Sequence, residues 1–353
     1  MSKKILITGG AGFIGSSFAI SYKHNHPDSD VICLDNLKRR GSELNLPRLK
    51  EHNISFMHGD VRNQEDLDLR EKIDVLVECS AEPSVLAGLD GSPKYVIDSN
   101  LIGAINCLEL ARKQKSKFVF LSTSRVYPYD SLLKLNLEEE DTRFSINNDS
   151  EGLSQKGVSE DFPLKGIRSI YGATKLCAEH LINEYHAAYS IDTVINRCGV
   201  IAGPWQMGKI DQGVFSLWMA KHYFKQPLSY IGFGGKGKQV RDLLHIDDLC
   251  RLLDMQISHF DKCNGKTYNV GGGYDCSLSL FETTKLCEEL TGNKLKISSI
   301  KENRPADIPY YISDCSNLKK DFSWTPEHSP KQILSDIYSW IKNNDSILKE
   351  IFI

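Results

Sequence analysis

The sequence predicts an α/β protein built on a doubly wound parallel sheet, followed by a smaller carboxy-terminal α/β domain. Three observations carry that expectation. Strand-length apolar runs alternate with helix-length runs through the first 200 residues. Gly9, Gly12 and Gly15 stand where the first strand pattern passes into the first helix pattern. A second strand pattern, Val31–Leu34, ends on Asp35, twenty residues beyond Gly15. Together they describe a Rossmann-type sheet with a dinucleotide site at its strand ends.

Taken in order, strands are predicted over 4–8, 31–34, 54–57, 74–79, 117–122 and 192–197. Helices are predicted over 13–24, 63–71, 93–114 and 171–190. The strands are apolar along their length, as in a sheet covered on both faces. Residues 128–169 break the rhythm with an acidic connection (Glu138–Asp141, Asn147–Asp149) too long to be a passive loop. After about residue 200 the pattern loosens around Gly203-Pro204-Trp205 and the glycines of 232–237. The expected division is a cofactor domain over 1–199 and a mainly substrate-binding domain over 200–353. Segment 240–260 and the last helix, 328–343, are expected to pack back on the sheet. Ile333, Ile337 and Trp340 of that helix fall at helical spacing and read as core.

Composition narrows the class. The chain has 353 residues, enough for a sizeable core. Apolar residues are 41% and charged residues 25%, which excludes a disordered chain. A net charge of −3 argues against a nucleic-acid partner, and no apolar run approaches the roughly 20 residues of a membrane helix. The start, Met1-Ser-Lys-Lys, lacks the layout of a signal peptide. Ten cysteines are scattered without a Cys-x-x-Cys pair; those in predicted elements (Cys33, Cys79, Cys107, Cys177) read as buried free thiols of the cytoplasm. His24 and His26 have no carboxylate or cysteine cluster beside them, so no metal is expected.

The chemistry-bearing residues follow from spacing. Gly9 permits a tight turn, Gly12 the close approach of a pyrophosphate, and Gly15 the contact of helix with strand. Phe13 and Ile14 open the helix whose first amides would face the phosphates. Asp35 suits the ribose hydroxyls and would repel an extra phosphate. NAD is therefore preferred to NADP, although Lys38, Arg39 and Arg40 follow. Tyr171 and Lys175 stand four apart on a striped helix, hence on one face. A lysine ammonium stabilises a phenolate, and a phenol so lowered can take and return the proton of a sugar hydroxyl. Thr123, at the end of the apolar strand Phe118–Leu121, is placed to hydrogen-bond the reacting oxygen; Ser122 and Ser124 are rivals.

These residues, with Gly59-Asp60-Val61 and Arg241-Asp242, resemble the extended short-chain dehydrogenase/reductase superfamily over nearly the whole chain. The resemblance implies a catalytic trio of Thr123, Tyr171 and Lys175, with Asp60 on the adenine. It also implies cofactor contacts from Asn36, Arg40, Val61, Ser80 and Ala81. The superfamily's His-x-Ala-Ala segment is here Glu78-Cys79-Ser80-Ala81-Glu82-Pro83, a departure that brings Glu82 near the expected sugar site. Asn100 matches an asparagine of the long fourth helix and is carried among the cofactor contacts; hydrogen-bonding to backbone inside the fold and a direct catalytic role both stand open. Dehydratases of the superfamily carry Thr-Asp-Glu where this chain has Thr123-Ser124-Arg125, so epimerisation or simple oxidoreduction is preferred to elimination.

Finer resemblance points to the CDP-paratose (CDP-tyvelose) 2-epimerases. It rests on Asp35-Asn36-Leu37, Arg39-Arg40-Gly41, His58–Asn63, Asp211-Gln212-Gly213, Gly235–Asp242, Asn269–Gly272 and the insertion before Tyr171. It implies NAD, a CDP-linked dideoxyhexose held between domains, and inversion at sugar C2. Rivals are a C4 epimerase using UDP or another nucleotide, and a non-catalytic NAD-binding sensor. Arg241 and Arg304 are expected at the substrate pyrophosphate, with Lys236 and Lys238 as weaker candidates. Gln206 and Gln212 are expected at sugar or base. A homodimer or homotetramer, joined through the helices near 93–114 and 171–190, is implied by resemblance alone.

Overall fold

The structure is a computed structural model describing residues 3–89, 91–209 and 212–353. Asp211 of the Asp-Gln-Gly segment lies outside the described residues. Contacts divide the chain into two compact units: Met1–Val126 with Ile170–Arg197 and Leu249–Tyr268, and Tyr127–Ser169 with Cys198–Asp248 and Asn269–Ile353.

The first unit carries a seven-stranded sheet. Its strands are β1 (Lys4–Thr8), β2 (Asp30–Asp35), β3 (Ser55–His58), β4 (Val75–Glu78), β5 (Lys117–Thr123), β6 (Thr193–Cys198) and β7 (Lys266–Val270). They lie in the order β7-β6-β5-β4-β1-β2-β3. The pairs β1–β2, β1–β4, β2–β3 and β4–β5 are parallel. Strand order reverses between β1 and β4, and that switch point opens the crevice where such sheets bind ligands. Leu6, Leu76, Phe118 and Phe120 are fully buried because helices cover the sheet.

Helix α1 (Phe13–Asn25) and helix α3 (Ile170–Tyr189) match their predicted spans within a residue. Between them the long helix runs as Lys94–Ile97, a wider π turn at Asp98–Ile102, and α2 (Gly103–Gln114). Such turns insert one residue into a helix and re-aim the side chains around it. The helix predicted over 63–71 is not formed: only a 3-10 turn, Gln64–Leu67, is present. There the Asp66 carboxylate accepts from the Asp60 amide (2.8 Å), so the acidic residue closes a turn instead of opening a helix. Strand β7 was not predicted.

The second unit departs from the expected division in three places. Residues 127–169 belong to it and form two hairpins, Leu137–Glu139 with Phe144–Ile146 and Leu153–Ser154 with Gly157–Val158. Of the segment expected to return to the sheet, only the part from Leu249 does so. The helix Pro330–Asn343 stays in the second unit, packing on Val214–Tyr223 and Leu280–Thr291. Ile333, Ile337 and Trp340 are buried there, as their spacing predicts. A small sheet of Val200–Ala202, Val240–His245 and Ser277–Ser279, joined by Tyr310–Tyr311, forms its centre. Arg143 anchors the acidic hairpin: its guanidinium donates to Glu282 (2.6 Å) and to the Ser277 carbonyl (2.9 Å).

All ten cysteines are free. Cys33 and Cys107 are buried as expected, but Cys177 is exposed, because it falls on the outer face of α3. No helix among the described residues is long and apolar enough to cross a membrane.

Candidate active site

The crevice is built by strand ends. Gly9, just beyond β1, has φ +64°, and a Cβ there would lie 2.8 Å from the Cys79 carbonyl and the Ser80 amide. A Cβ on Gly15 would sit 2.2 Å from the Gly9 oxygen, and one on Gly12 3.0 Å from the same atom. These glycines leave a backbone cradle that no side chain can occupy. Gly12 caps α1 without a side-chain hydrogen bond, and the first turn carries no acid, so it presents amides to an anion. Gly10 is equally constrained: a Cβ there would be 2.5 Å from that of Cys33.

Asp35, at the end of β2, accepts from the amides of Ala11 (3.1 Å) and Leu37 (2.8 Å). Burial raises its carboxyl above the ordinary value, and the backbone donors oppose that rise. The cradle and this carboxylate fit the diphosphate and ribose of NAD. Asp60 is gripped by Arg62 (2.6 and 2.9 Å) and by the Asn36 amide (2.9 Å); Arg62 foremost holds its carboxyl far below the usual range. Arg62 and Lys38 both lie over the Tyr95 ring. Arg40 and Val61 follow β2 and β3 respectively. Val61 lies where a Cβ on Gly103 would be 2.6 Å from it, so the helix passes close over that loop.

Thr123 ends β5, is 7% exposed, and its Oγ1 accepts from the Arg125 amide (3.2 Å). Tyr171 and Lys175 share the first turns of α3, both buried. Lys175 Nζ donates to the Leu121 carbonyl (3.0 Å) and to Glu78 (3.4 Å), and it lies 4.4 Å from the Phe120 ring centre. Ser80 donates to the other oxygen of Glu78. Glu78 is the residue that spacing alone did not single out. Its signal is a carboxylate ending the apolar run Val75–Val77.

Asn100 resolves toward structure. Its Oδ1 accepts from the Glu82 amide (2.8 Å), and its Nδ2 donates to the Glu82 carbonyl (3.1 Å) and to Thr174 (3.3 Å). The π turn aims this side chain, which clasps the Ala81-Glu82 loop to α3. The Glu82 carboxylate accepts from the Ser84 amide (3.3 Å).

In the second unit the expected substrate residues fare differently. Gln206 is buried, bonded to the Ile201 carbonyl (2.8 Å) and the Ser216 hydroxyl (2.7 Å). Both ends of its amide make bonds within the fold. The guanidinium of Arg241 binds Asp307 (3.1 Å) and the Ile308 carbonyl (2.6 Å), an internal tie. Arg304 is half-buried in the turn that ends at Asp307. Gln212 exchanges backbone hydrogen bonds with Lys209. Lys236 and Lys238 both pair with Glu139.

Two histidine groups bear on metal binding. His26 bonds Asp254 (2.8 Å) and stacks on Tyr22. His245, His328 and Asp336 bring ligand-type atoms within 4.8 Å of one another. His245 Nδ1 accepts from the Asp247 amide (3.1 Å), so the neutral ring carries its proton on Nε2. That edge, 3.6 Å from Asp336, is then a donor and not a ligand.

Comparison with known proteins agrees with this geometry. Residues 5–271 match the NAD dependent epimerase/dehydratase family. CDP-paratose 2-epimerase of Salmonella typhi is 30% identical over 96% of this chain and 98% of its own. UDP-glucuronic acid 4-epimerase of Bacillus cereus, solved with UDP-glucuronic acid and NAD, is 26% identical with a TM-score of 0.80. That alignment covers 97% of this chain and 99% of the other. The dTDP-glucose 4,6-dehydratase of Bacillus anthracis, solved with NAD, is 25% identical with a TM-score of 0.80, over 99% and 100% of the two chains. This chain therefore belongs to the NAD dependent epimerase/dehydratase family, and it is an NAD-using enzyme of nucleotide-sugar chemistry.

Proposed function

We propose that the protein is a nucleotide-sugar epimerase that inverts C2 of a CDP-linked dideoxyhexose. The observation that carries epimerisation is the buried Tyr171–Lys175 pair on the first turns of α3, in the unit that holds the glycine cradle and Thr123. In this reading Tyr171 takes the proton of the C2 hydroxyl, and the Lys175 ammonium stabilises the phenolate. Thr123 Oγ1 hydrogen-bonds the same sugar oxygen and aligns it. Bound NAD supplies a reversible acceptor for the C2 hydride. With the hydride returned to C2 on the other face of the keto sugar, Tyr171 gives back the proton to the oxygen, and the product differs from the substrate only in configuration.

Ser124 and Arg125 follow Thr123, so the strand end offers no acid–base pair for eliminating water. The choice of CDP and of C2 is supported by the Salmonella relative and by the segments that resemble such epimerases. A second reading, a UDP-sugar C4 epimerase, is favoured by the structural likeness to the Bacillus cereus enzyme. Arg304 remains our proposed diphosphate contact, and a homodimer or homotetramer our proposed assembly. Proton NMR of CDP-, UDP-, GDP- and dTDP-sugars incubated with the protein separates the two readings. Signals of the C2 epimer in the CDP series are expected, and turnover confined to another series would replace this assignment.

A further inference from the structure

Glu78 is buried beneath the catalytic pair and the mechanism above does not use it. It closes β4 in the middle of the sheet, paired in register with Thr8 of β1 and Phe120 of β5. It is 1% exposed, and Lys175 is 2% exposed. Its two oxygens are divided between the Ser80 hydroxyl and Lys175 Nζ, 3.4 Å away. Apart from Glu78, the groups that Lys175 touches among the described residues are neutral, the Leu121 carbonyl and the Phe120 ring. An ammonium so removed from water loses its proton readily unless a charge of opposite sign compensates.

We propose that Glu78 is a positioning residue: the counter-ion that keeps Lys175 an ammonium and docks it against the ends of β4 and β5. This rests on the reading of Tyr171 and Lys175 as the proton-transferring pair. The other titratable groups around them do not replace Glu78. Cys107, on α2, is a fully buried thiol that burial keeps protonated. Glu179, the next turn of α3, is committed to Arg197 (2.8 Å) and to the Ser122 hydroxyl. Tyr171, one turn earlier, is the group whose ionisation Lys175 assists. Through the lysine, Glu78 sets the pH at which the phenol becomes a base. The chain thus carries an acid–base adjustment at the position where the resembling superfamily has a histidine.

The test reads the two charges directly, without sugar. In the wild-type protein, carbon-13 NMR of the Glu78 carboxyl should show it ionised throughout the neutral range. A carboxyl still protonated at neutral pH overturns the proposal, and this arm needs no variant. In Glu78→Gln, Lys175 followed at its ε carbon should lose its proton at a pH lower by roughly 1–3 units; Glu78→Asp should restore part of the shift. An unchanged lysine titration in a folded Glu78→Gln protein overturns the proposal. If no nucleotide sugar is converted while the lysine titration shifts as stated, the proposed function fails and the counter-ion role stands.

Discussion

The two units treat their charges in opposite ways. In the first, Asp35 and Glu78 stand at strand ends, where the sheet fixes their direction, and Glu78 meets Lys175 of α3 there. In the second, charged and amide groups make their bonds within loops and turns: Arg241 ties down Asp307, Gln206 bonds Ile201 and Ser216, and Arg143 clamps Glu282. Regular strand ends preserve function at positions that spacing can locate, whereas irregular loops need polar side chains to hold their own backbone. Variants in the first unit should therefore separate into effects on chemistry and on stability. Variants of the residues so bonded in the second should read first as stability.

The sharpest contrast comes from Tyr171→Phe. Loss of the phenolic oxygen should lower turnover on the order of 10²–10⁴-fold, the span of general acid–base catalysis, while NAD retention and thermal midpoint stay near wild type. Absence of turnover in wild type and variant alike, with NAD retained by both, would support the rival reading as a cofactor sensor. Next is Arg197→Met, still in the first unit but outside the crevice. Arg197 and Glu179 are 8% and 3% exposed, so the variant strands a buried carboxylate. Chemical denaturation should show a loss of roughly 3–5 kcal/mol. If stability is unchanged, burial in this half does not imply dependence on pairing.

Sequence legibility follows the same contrast. Gly9, Gly12, Gly15, Asp35 and the Tyr171–Lys175 spacing were readable because each constraint is local: a turn, a strand end, one helical period. Glu78 was not, since its meaning depends on Lys175, far along the chain, descending onto the same strand ends. Asn100 left two roles open because the π turn that aims it leaves no mark on hydrophobic periodicity. Gln206 is not decided by sequence, because a buried amide that braces a loop and one that binds a sugar look identical in one dimension. The helix predicted over 63–71 failed when Asp66 was drawn to the Asp60 amide, a competition between side chain and backbone that composition does not reveal. Strand β7 was lost in a stretch whose pattern had already loosened.

The smallest effect expected is in the second unit, and it carries a pH signature. Burial would raise the Glu282 carboxyl. The Arg143 guanidinium, the Thr142 hydroxyl and the Ser279 amide outweigh burial, and the group sits below its ordinary value. A carboxyl lowered on folding stabilises the native state fully above its unfolded value, about 4.3. That stabilisation is lost as pH falls through the folded value. Both partners keep some exposure, 17% and 22%, so the pair is worth less than a fully buried one. Arg143→Met should cost roughly 1–2 kcal/mol in urea melts at neutral pH. The deficit should shrink as pH falls below the ordinary carboxylate range, where wild type loses the same contribution. A deficit independent of pH would show that Arg143 acts through packing and its bond to the Ser277 carbonyl. The charge of the acidic hairpin would then have no part in anchoring it.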